Sequence, residues 1–139
     1  MRADIYYAYY PYESDSVLTA WLIRKFRDPQ ALFAGIEKGE HVRIDPKFQI
    51  NTAQSRFRRS ARFTAYESAK KILNIHDPCA EKLVKVSRIL EAAPWRKQQY
   101  PTITTFERML HEALPKTPDP SNLDKAFKVI DRFCEKDAK

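Results

Sequence analysis

The chain has 139 residues, 43% of them hydrophobic, and 25 Lys and Arg against 18 Asp and Glu, a formal charge of +7 at neutral pH. That length suits one domain over residues 1–139 with a core of its own, and the apolar content argues against a disordered chain. No apolar run approaches the roughly 20 residues of a bilayer span, and the aromatic, polar start lacks the pattern of a secretory signal. A cytoplasmic protein with no membrane partner is therefore expected.

The charge excess favours anionic partners: nucleic acid, an acidic protein or a small oxyanion. Solubility alone would also account for it. Gly35 and Gly39 are the only glycines, so no glycine-rich phosphate loop can be written and an all-β fold with many tight turns is disfavoured.

Residues 5–10 read as a strand ended by Pro11. Ser14 or Asp15 then caps a helix over residues 17–26, with Val17, Leu18, Trp21, Leu22 and Phe26 at helical spacing, and Asp28-Pro29 stops it. Residues 31–36 read as a second strand, Gly39 as a turn, and residues 42–44 and 48–50 as third and fourth strands. From Phe63 the spacing turns helical, through Tyr66, Ala69, Lys70 and Leu73, with an end near Asn74. Asp77 as cap and Pro78 as first helical residue open the next helix. Its apolar stripe is Leu83, Val86, Ile89, Leu90 and Ala93, and Pro94 ends it. A loop at Trp95 to Tyr100 precedes a helix opened by Thr102 or Thr104 and running through Phe106, Met109, Leu110 and Leu114. Residues 115–120 hold three prolines and form a rigid connector; Ser121 or Asp119 then caps a last helix with Leu123, Phe127, Ile130 and Phe133 facing inward. The expected fold class is α+β, a small mixed β-sheet near the amino end covered by a mainly helical carboxy-terminal half.

The strongest local feature is the basic cluster of Arg56, Arg58, Arg59 and Arg62, continuing to Lys70 and Lys71 and interleaved with Ser55, Phe57 and Ser60. Guanidinium forks bind oxyanion and carboxylate oxygens in pairs, and arginines beside an aromatic ring suit single-stranded nucleic acid; a solvated charged face is the plainer account. Trp95, Arg96, Lys97 and Tyr100 form a second basic and aromatic group, in which Trp95 either stacks a base or packs beneath the loop. A third group, Tyr9, Tyr10, Glu13, Asp15 and Arg24, lies at and beyond a strand-to-helix junction, a common place for a site in mixed α/β folds. Its structural alternative is helix capping by Asp15 with an ion pair to Arg24 or Lys25. Cys79 and Cys134 lack C-x-x-C spacing and read as two reduced packing thiols. His41, His76 and His111 share no catalytic or metal-ligand spacing, so no metal site, cofactor or catalytic set is expected.

The stretch from Asp15 to Phe33 resembles the opening of the carboxy-terminal domain of chromate-resistance proteins of the ChrB type, on Asp15, Trp21, Leu22, Ile23, Arg24, Phe26, Asp28, Pro29 and Phe33. Phe63, Leu73, Ile75, Asp77, Pro78, Ala80, Leu83, Ile89 and Ala92 are similar in order and spacing to later helices of that family, and Ala126, Val129, Asp131 and Cys134 to its last. The likeness covers nearly the whole chain from Asp15. The family's Cys-Pro before the tryptophan stands here as Thr19-Ala20, and its His-x-Gly-x-x-Cys segment falls on Arg56, Arg58 and Ala61. The resemblance thus implies that Asp15 and Arg24 are kept while a histidine and cysteine site has become an arginine cluster. Such a site would hold an oxyanion by charge-assisted hydrogen bonds rather than coordinate a metal. Asp15 to Leu22 is also loosely similar to the first motif of DHH-type phosphoesterases, but the further aspartates and histidines that hold their two metals are missing.

Three functional readings stay open. A chromate-resistance domain that binds or senses an oxyanion would bring Arg24, Arg56, Arg58, Arg59 and Arg62 to one cleft, with Asp15, Tyr10 and Glu13 supporting its wall. A nucleic-acid-binding or assembly module would join Arg56 and Arg62 to Lys70, Lys71 and Arg96 in one basic face, with Trp95 and Lys97 beside it. A redox or hydrolytic enzyme would need Tyr10, Glu13 and Asp15 gathered in a pocket, and is the weakest of the three. The tyrosine-rich start (Tyr6, Tyr7, Tyr9, Tyr10 and Tyr12) would let strands pair between chains in a homo-oligomer.

Overall fold

The structure is a computed structural model that describes residues 3–136. Strand β1 (Ile5–Tyr9) leads into helix α1 (Ser14–Phe26), which returns the chain to strand β2 (Leu32–Ile36). The strands pair in parallel, Ile5 opposite Leu32 and Tyr9 opposite Ile36, and parallel neighbours need such a crossover. Every residue of α1 from Ser14 to Ile23 is buried. A helix buried on all sides must be wrapped by others, and α1 packs against each of α2 (Ala65–Ile72), α3 (Pro78–Glu91), α4 (Pro101–Glu112) and α5 (Asp124–Lys136). Leu18, Trp21 and Leu22 meet Tyr66, Leu83, Ile89, Leu110 and Ile130 in the core. Trp21 also donates its indole N–H to Asp131 Oδ1 at 3.0 Å, which ties α1 to α5.

The class is α+β, as the sequence indicates, but the strands are fewer. Residues 42–44 fall at and after a short 3-10 helix, Glu40–Arg43, and residues 48–50 follow another, Pro46–Phe48. Asp45 starts the second by accepting from the Lys47 N–H at 3.1 Å, so a helical turn wins over the β-branched and aromatic residues around it. What remains of the extra pairing is an isolated parallel bridge between Tyr7 and Gln49, where Ile50 N–H donates to Tyr7 O at 2.8 Å. An antiparallel bridge between Phe33 and Ser121 completes the mixed character of the sheet. There the connector of residues 115–120 lies along β2, with Gly35 N–H donating to Pro118 O at 2.8 Å. A Cβ on Gly35 would stand 2.5 Å from Tyr10 Cβ and 2.9 Å from Pro118 Cβ, so only glycine admits this approach.

Several helix starts also differ from expectation. Glu13, not Ser14 or Asp15, occupies the cap position of α1, and it makes no side-chain cap bond. Residues 94–99 form a 3-10 helix rather than a loop, and α4 begins at Pro101, so Thr102 and Thr104 lie within its first turn. At α5, Ser121 Oγ and Asn122 Oδ1 accept from the N–H groups of Leu123 and Asp124, each at 3.0 Å, while Asp119 takes no part. The Asp77-Pro78 start is as expected, with Asp77 Oδ2 accepting from Ala80 N–H at 3.0 Å.

The cysteines correct a further expectation. Cys79, in the first turn of α3, and Cys134, near the end of α5, are joined in a disulfide with Cα atoms 5.4 Å apart across 55 residues of sequence. Sequence distance hides this, because only the packed helices bring the two ends together. Closing a loop of that length removes about 4 kcal/mol of unfolded-state entropy in the chain-entropy picture. The Cys79→Ala/Cys134→Ala variant should therefore lose about 2–4 kcal/mol in urea unfolding. A loss below about 1 kcal/mol would mean that α5 is held by packing alone.

Candidate functional site

The polar groups of most interest meet where the start of α1 touches the start of α2 and the end of α3. Asp15 is fully buried there. Its Oδ2 accepts from Ala65 N–H and its Oδ1 from Tyr66 N–H, each at 2.8 Å. These are the first two orphan donors of α2, at the positive end of its dipole. Asp15 thus caps a helix 50 residues away in sequence, not its own. A capping box completes the start: Thr64 Oγ1 accepts from Glu67 N–H at 3.1 Å and Glu67 Oε1 from Thr64 N–H at 3.2 Å. Glu67 also takes Arg88 at 2.8 Å.

Behind Asp15, its backbone N–H donates to Glu91 Oε1 at 3.2 Å. Arg59 lies 3.8 Å from the other Glu91 oxygen and donates to the Glu91 carbonyl at 3.4 Å. Burial pushes the Asp15 carboxyl up to about 7, against the pull of the two N–H groups; Glu91 adds a smaller upward push, and Arg59 a downward one. Glu91 is itself raised, first by burial. Ser14 Oγ and His111 Nε2 pair at 2.9 Å on the same side. Asp15 therefore has the environment of a proton-holding acid, yet both its oxygens are taken by backbone, which makes it a positioning group. Glu13 stays exposed at the rim, and Tyr10 packs edge-on against Tyr12 with ring centres 5.4 Å apart.

The arginine segment approaches this junction from the α2 side. Residues 55–58 alternate buried and exposed. Ser55 and Phe57 point inward, where the Ser55 hydroxyl donates to Gln49 O at 2.5 Å and accepts from Phe57 N–H at 2.9 Å. Asn51 N–H donates to Phe57 O at 2.8 Å. Arg56 and Arg58 are consequently turned outward, the former with its guanidinium 4.7 Å from the Phe57 ring centre. Ser68 Oγ donates to Arg58 O at 3.0 Å, and Ser60 Oγ accepts from the N–H groups of Arg62 and Phe63. All four arginines are exposed, and among the described residues only Arg59 has an acidic partner.

Arg24 is not brought to them. It sits nine residues beyond Asp15 on α1, roughly 13 Å along the axis. Its guanidinium donates to the carbonyls of Pro29 at 2.6 Å, Ala31 at 3.3 Å and Asn122 at 2.9 Å. The ion pair foreseen for Asp15 is likewise absent, since Lys25 pairs with Asp131 at 3.3 Å. Lys70 pairs with Glu81 at 2.6 Å, and Lys71 lies 5.2 Å from the Phe63 ring centre. Trp95 is 71% exposed, Arg96 donates to Tyr100 Oη at 3.1 Å, and Lys97 pairs with Glu107 at 2.9 Å. Among the described residues no group of three or more His, Cys, Asp or Glu is placed to hold a metal ion. His76 meets Asn74 at 2.9 Å; the His41 side chain lies outside the described residues.

The family model for the ChrB, C-terminal domain, matches residues 10–136. The chain belongs to the ChrB C-terminal domain family. Comparisons with curated proteins and with solved structures each gave no match. Membership in the ChrB family points to a chromate-resistance-related role. No helix among the described residues is long and apolar enough to cross a membrane. In this ChrB domain the segment that carries Arg56, Arg58 and Ala61 leads into the helix start that Asp15 caps. Sequence reasoning missed Glu91 and Thr64. Thr64-x-x-Glu67 is a readable capping-box signal, whereas nothing in the pattern marks Glu91.

The folded Asp15 carboxyl keeps its proton up to about 7, whereas its ordinary value is 3.8. Between those values the folded chain binds more protons than the unfolded one, so stability should fall as pH rises through the window and level off above it. Asp15→Asn should lose about 1–3 kcal/mol, because one N–H then faces an amide donor. It should also flatten the Asp15 share of that slope, measured by urea unfolding at a series of pH values. A slope parallel to that of the unaltered protein would show that Asp15 does not titrate in the window.

Proposed function

We propose that this ChrB domain serves chromate resistance by binding an oxyanion on the arginine segment, residues 56–62. Arg56, Arg58 and Arg62 are the contacting groups, and Arg59, drawn to Glu91, helps to hold the segment in place. The observation that supports this most is the burial of Ser55 and Phe57, which turns Arg56 and Arg58 outward on a backbone pinned to Gln49, Asn51 and Ser68. A guanidinium held this way offers a fork suited to paired oxyanion oxygens. Asp15 serves from beneath by fixing the helix into which the segment runs. Arg24 lies outside this reading, because it stands at the far end of α1 from Asp15, where its guanidinium ties together the carbonyls of Pro29, Ala31 and Asn122. With Arg56 and Arg58 set against the histidine and glycine of the resemblance, and Ala61 against its cysteine, the segment binds by charge-assisted hydrogen bonds, and no redox step is assigned to it.

A second reading, binding of single-stranded nucleic acid, is favoured by one observation: the bare ring of Trp95, 71% exposed beside Arg96 and Lys97, which offers a stacking platform.

A thermal-shift panel with chromate, sulfate, phosphate, a short DNA and a short RNA at two salt concentrations tests both. A ligand at 100 times its dissociation constant stabilises the folded form by about 2.7 kcal/mol. The proposal expects a shift of several degrees with one tetrahedral oxyanion. The Arg56→Ala/Arg58→Ala/Arg62→Ala variant should abolish it while each surface change moves basal stability by no more than about 0.5 kcal/mol. A shift seen only with nucleic acid, and lost steeply as salt rises, would replace the oxyanion reading with the second one.

A further inference from the structure

Away from the arginine segment, Cys79 and Cys134 lie in an open cleft of about 640 Å³ whose walls carry Lys25, Asp77, Lys82, Asp131 and Glu135. Both cysteines are only partly buried. A disulfide sealed in a core is out of reach of an attacking thiolate, but this one faces a polar opening.

The two sulfurs also sit in opposite electrical settings. Cys79 is the second residue of α3, directly after Pro78 and the Asp77 cap, where the helix amino end favours a thiolate. Cys134 lies in the last turn of α5, where the carbonyl end opposes one. Two cations share the cleft. Lys82 donates to Phe133 O at 2.8 Å with its ammonium 4.0 Å from the Phe133 ring centre, and Lys25 is paired with Asp131. The carboxylates of Asp77, Asp131 and Glu135 line the same space and oppose the two cations, while the helix ends still differ at the two sulfurs.

The fold does not depend on the bond alone. Trp21 holds Asp131, Phe106 meets Phe133 with ring centres 4.4 Å apart, and Ile130 is fully buried. Opening the disulfide therefore frees the end of α5 without removing its anchor.

We infer that Cys79–Cys134 is a redox-active pair that exchanges with an external dithiol while the domain stays folded, with Cys79 as the leaving and returning thiolate. In the forward direction a donor thiolate attacks Cys134 Sγ, the Cys79–Cys134 bond breaks, and Cys79 departs as a thiolate. The donor's second thiolate then attacks its own sulfur in the mixed disulfide and releases Cys134. Two electrons pass to the pair, the donor leaves as a disulfide, and its two protons go to the released sulfurs or to solvent. This inference stands independently of the oxyanion reading.

The test uses the full chain equilibrated with graded ratios of reduced and oxidised dithiothreitol, quenched with acid and alkylated, with circular dichroism following the fold. A reversible two-electron titration with the dichroism signal retained is expected. Cysteines that react only in denaturant, or that fail to re-pair on oxidation, would overturn the proposal. Cys134→Ser and Cys79→Ser then compare the two thiols singly. At neutral pH the Cys79 thiol should react with an aromatic disulfide about threefold faster than the Cys134 thiol, because the helix amino end raises its thiolate fraction by more than the accompanying loss of nucleophilicity offsets. Equal or reversed rates would overturn the assignment of Cys79.

Discussion

The carboxylate of Asp15, fully buried and gripped by the N–H groups of Ala65 and Tyr66, is the point on which the rest of the structure is hung. Helix α2 has eight residues, too few to persist alone in water. It exists because both ends are clamped. Asp15 and Thr64 fill its first donors, and at the other end Asn74 takes a φ of 54° while Ile75 N–H reaches back to Lys70 O at 3.0 Å. Burying an unpaired carboxylate is costly; here helix donors and a raised proton affinity offset that cost. Because Asp15 belongs to the wholly buried α1, the orientation of α2, and with it the exit of the arginine segment, is referred to the centre of the core.

What could be read from the amino-acid order was whatever depends on neighbours in sequence. The Asp77-Pro78 start, the apolar stripes of the later helices and the α+β class are of this kind, and so is the Trp-Leu-Ile-Arg run at Trp21 on which the family resemblance rests. Where the deciding partner is far along the chain, local rules mislead. Asp15 has the form of a cap for its own helix, yet its donors lie 50 residues on. Residues 48–50 have strand-like composition, but the Asp45-Pro46 turn and the bonds around Gln49 leave only a bridge. The cysteines read as separate thiols until α3 and α5 are packed side by side.

The candidate site divides the same way. A dense run of arginines is visible at a glance, and the burial of Phe57 between two exposed neighbours follows from its character. Arg24 shares the recognised motif with Asp15, but a helix carries the two to opposite ends, and there the guanidinium binds three carbonyls that link α1 to the strand β2 region and to the lead-in of α5. One residue of the motif thus ties α1 to two neighbouring segments, while Asp15 on the same helix caps α2. Part of the positive charge is held in local ion pairs, at Lys25, Lys70, Arg88 and Lys97. On residues 56–62 four exposed arginines gather with, among the described residues, a single acidic partner.

The connector that runs beside β2 covers an edge of the sheet. A two-stranded sheet with a tyrosine-rich strand has two open flanks, and an open flank is a template on which another chain can add a strand and begin to aggregate. Here Ser121 and Pro118 occupy the flank of β2, and Ile50 meets β1 from the other side. Proline has no N–H to offer an incoming strand. The missing methyl group at Gly35 is what lets the connector lie so close. The absence of a side chain at Gly35 thereby lets the connector fill the hydrogen-bonding flank of β2 that an added strand would use.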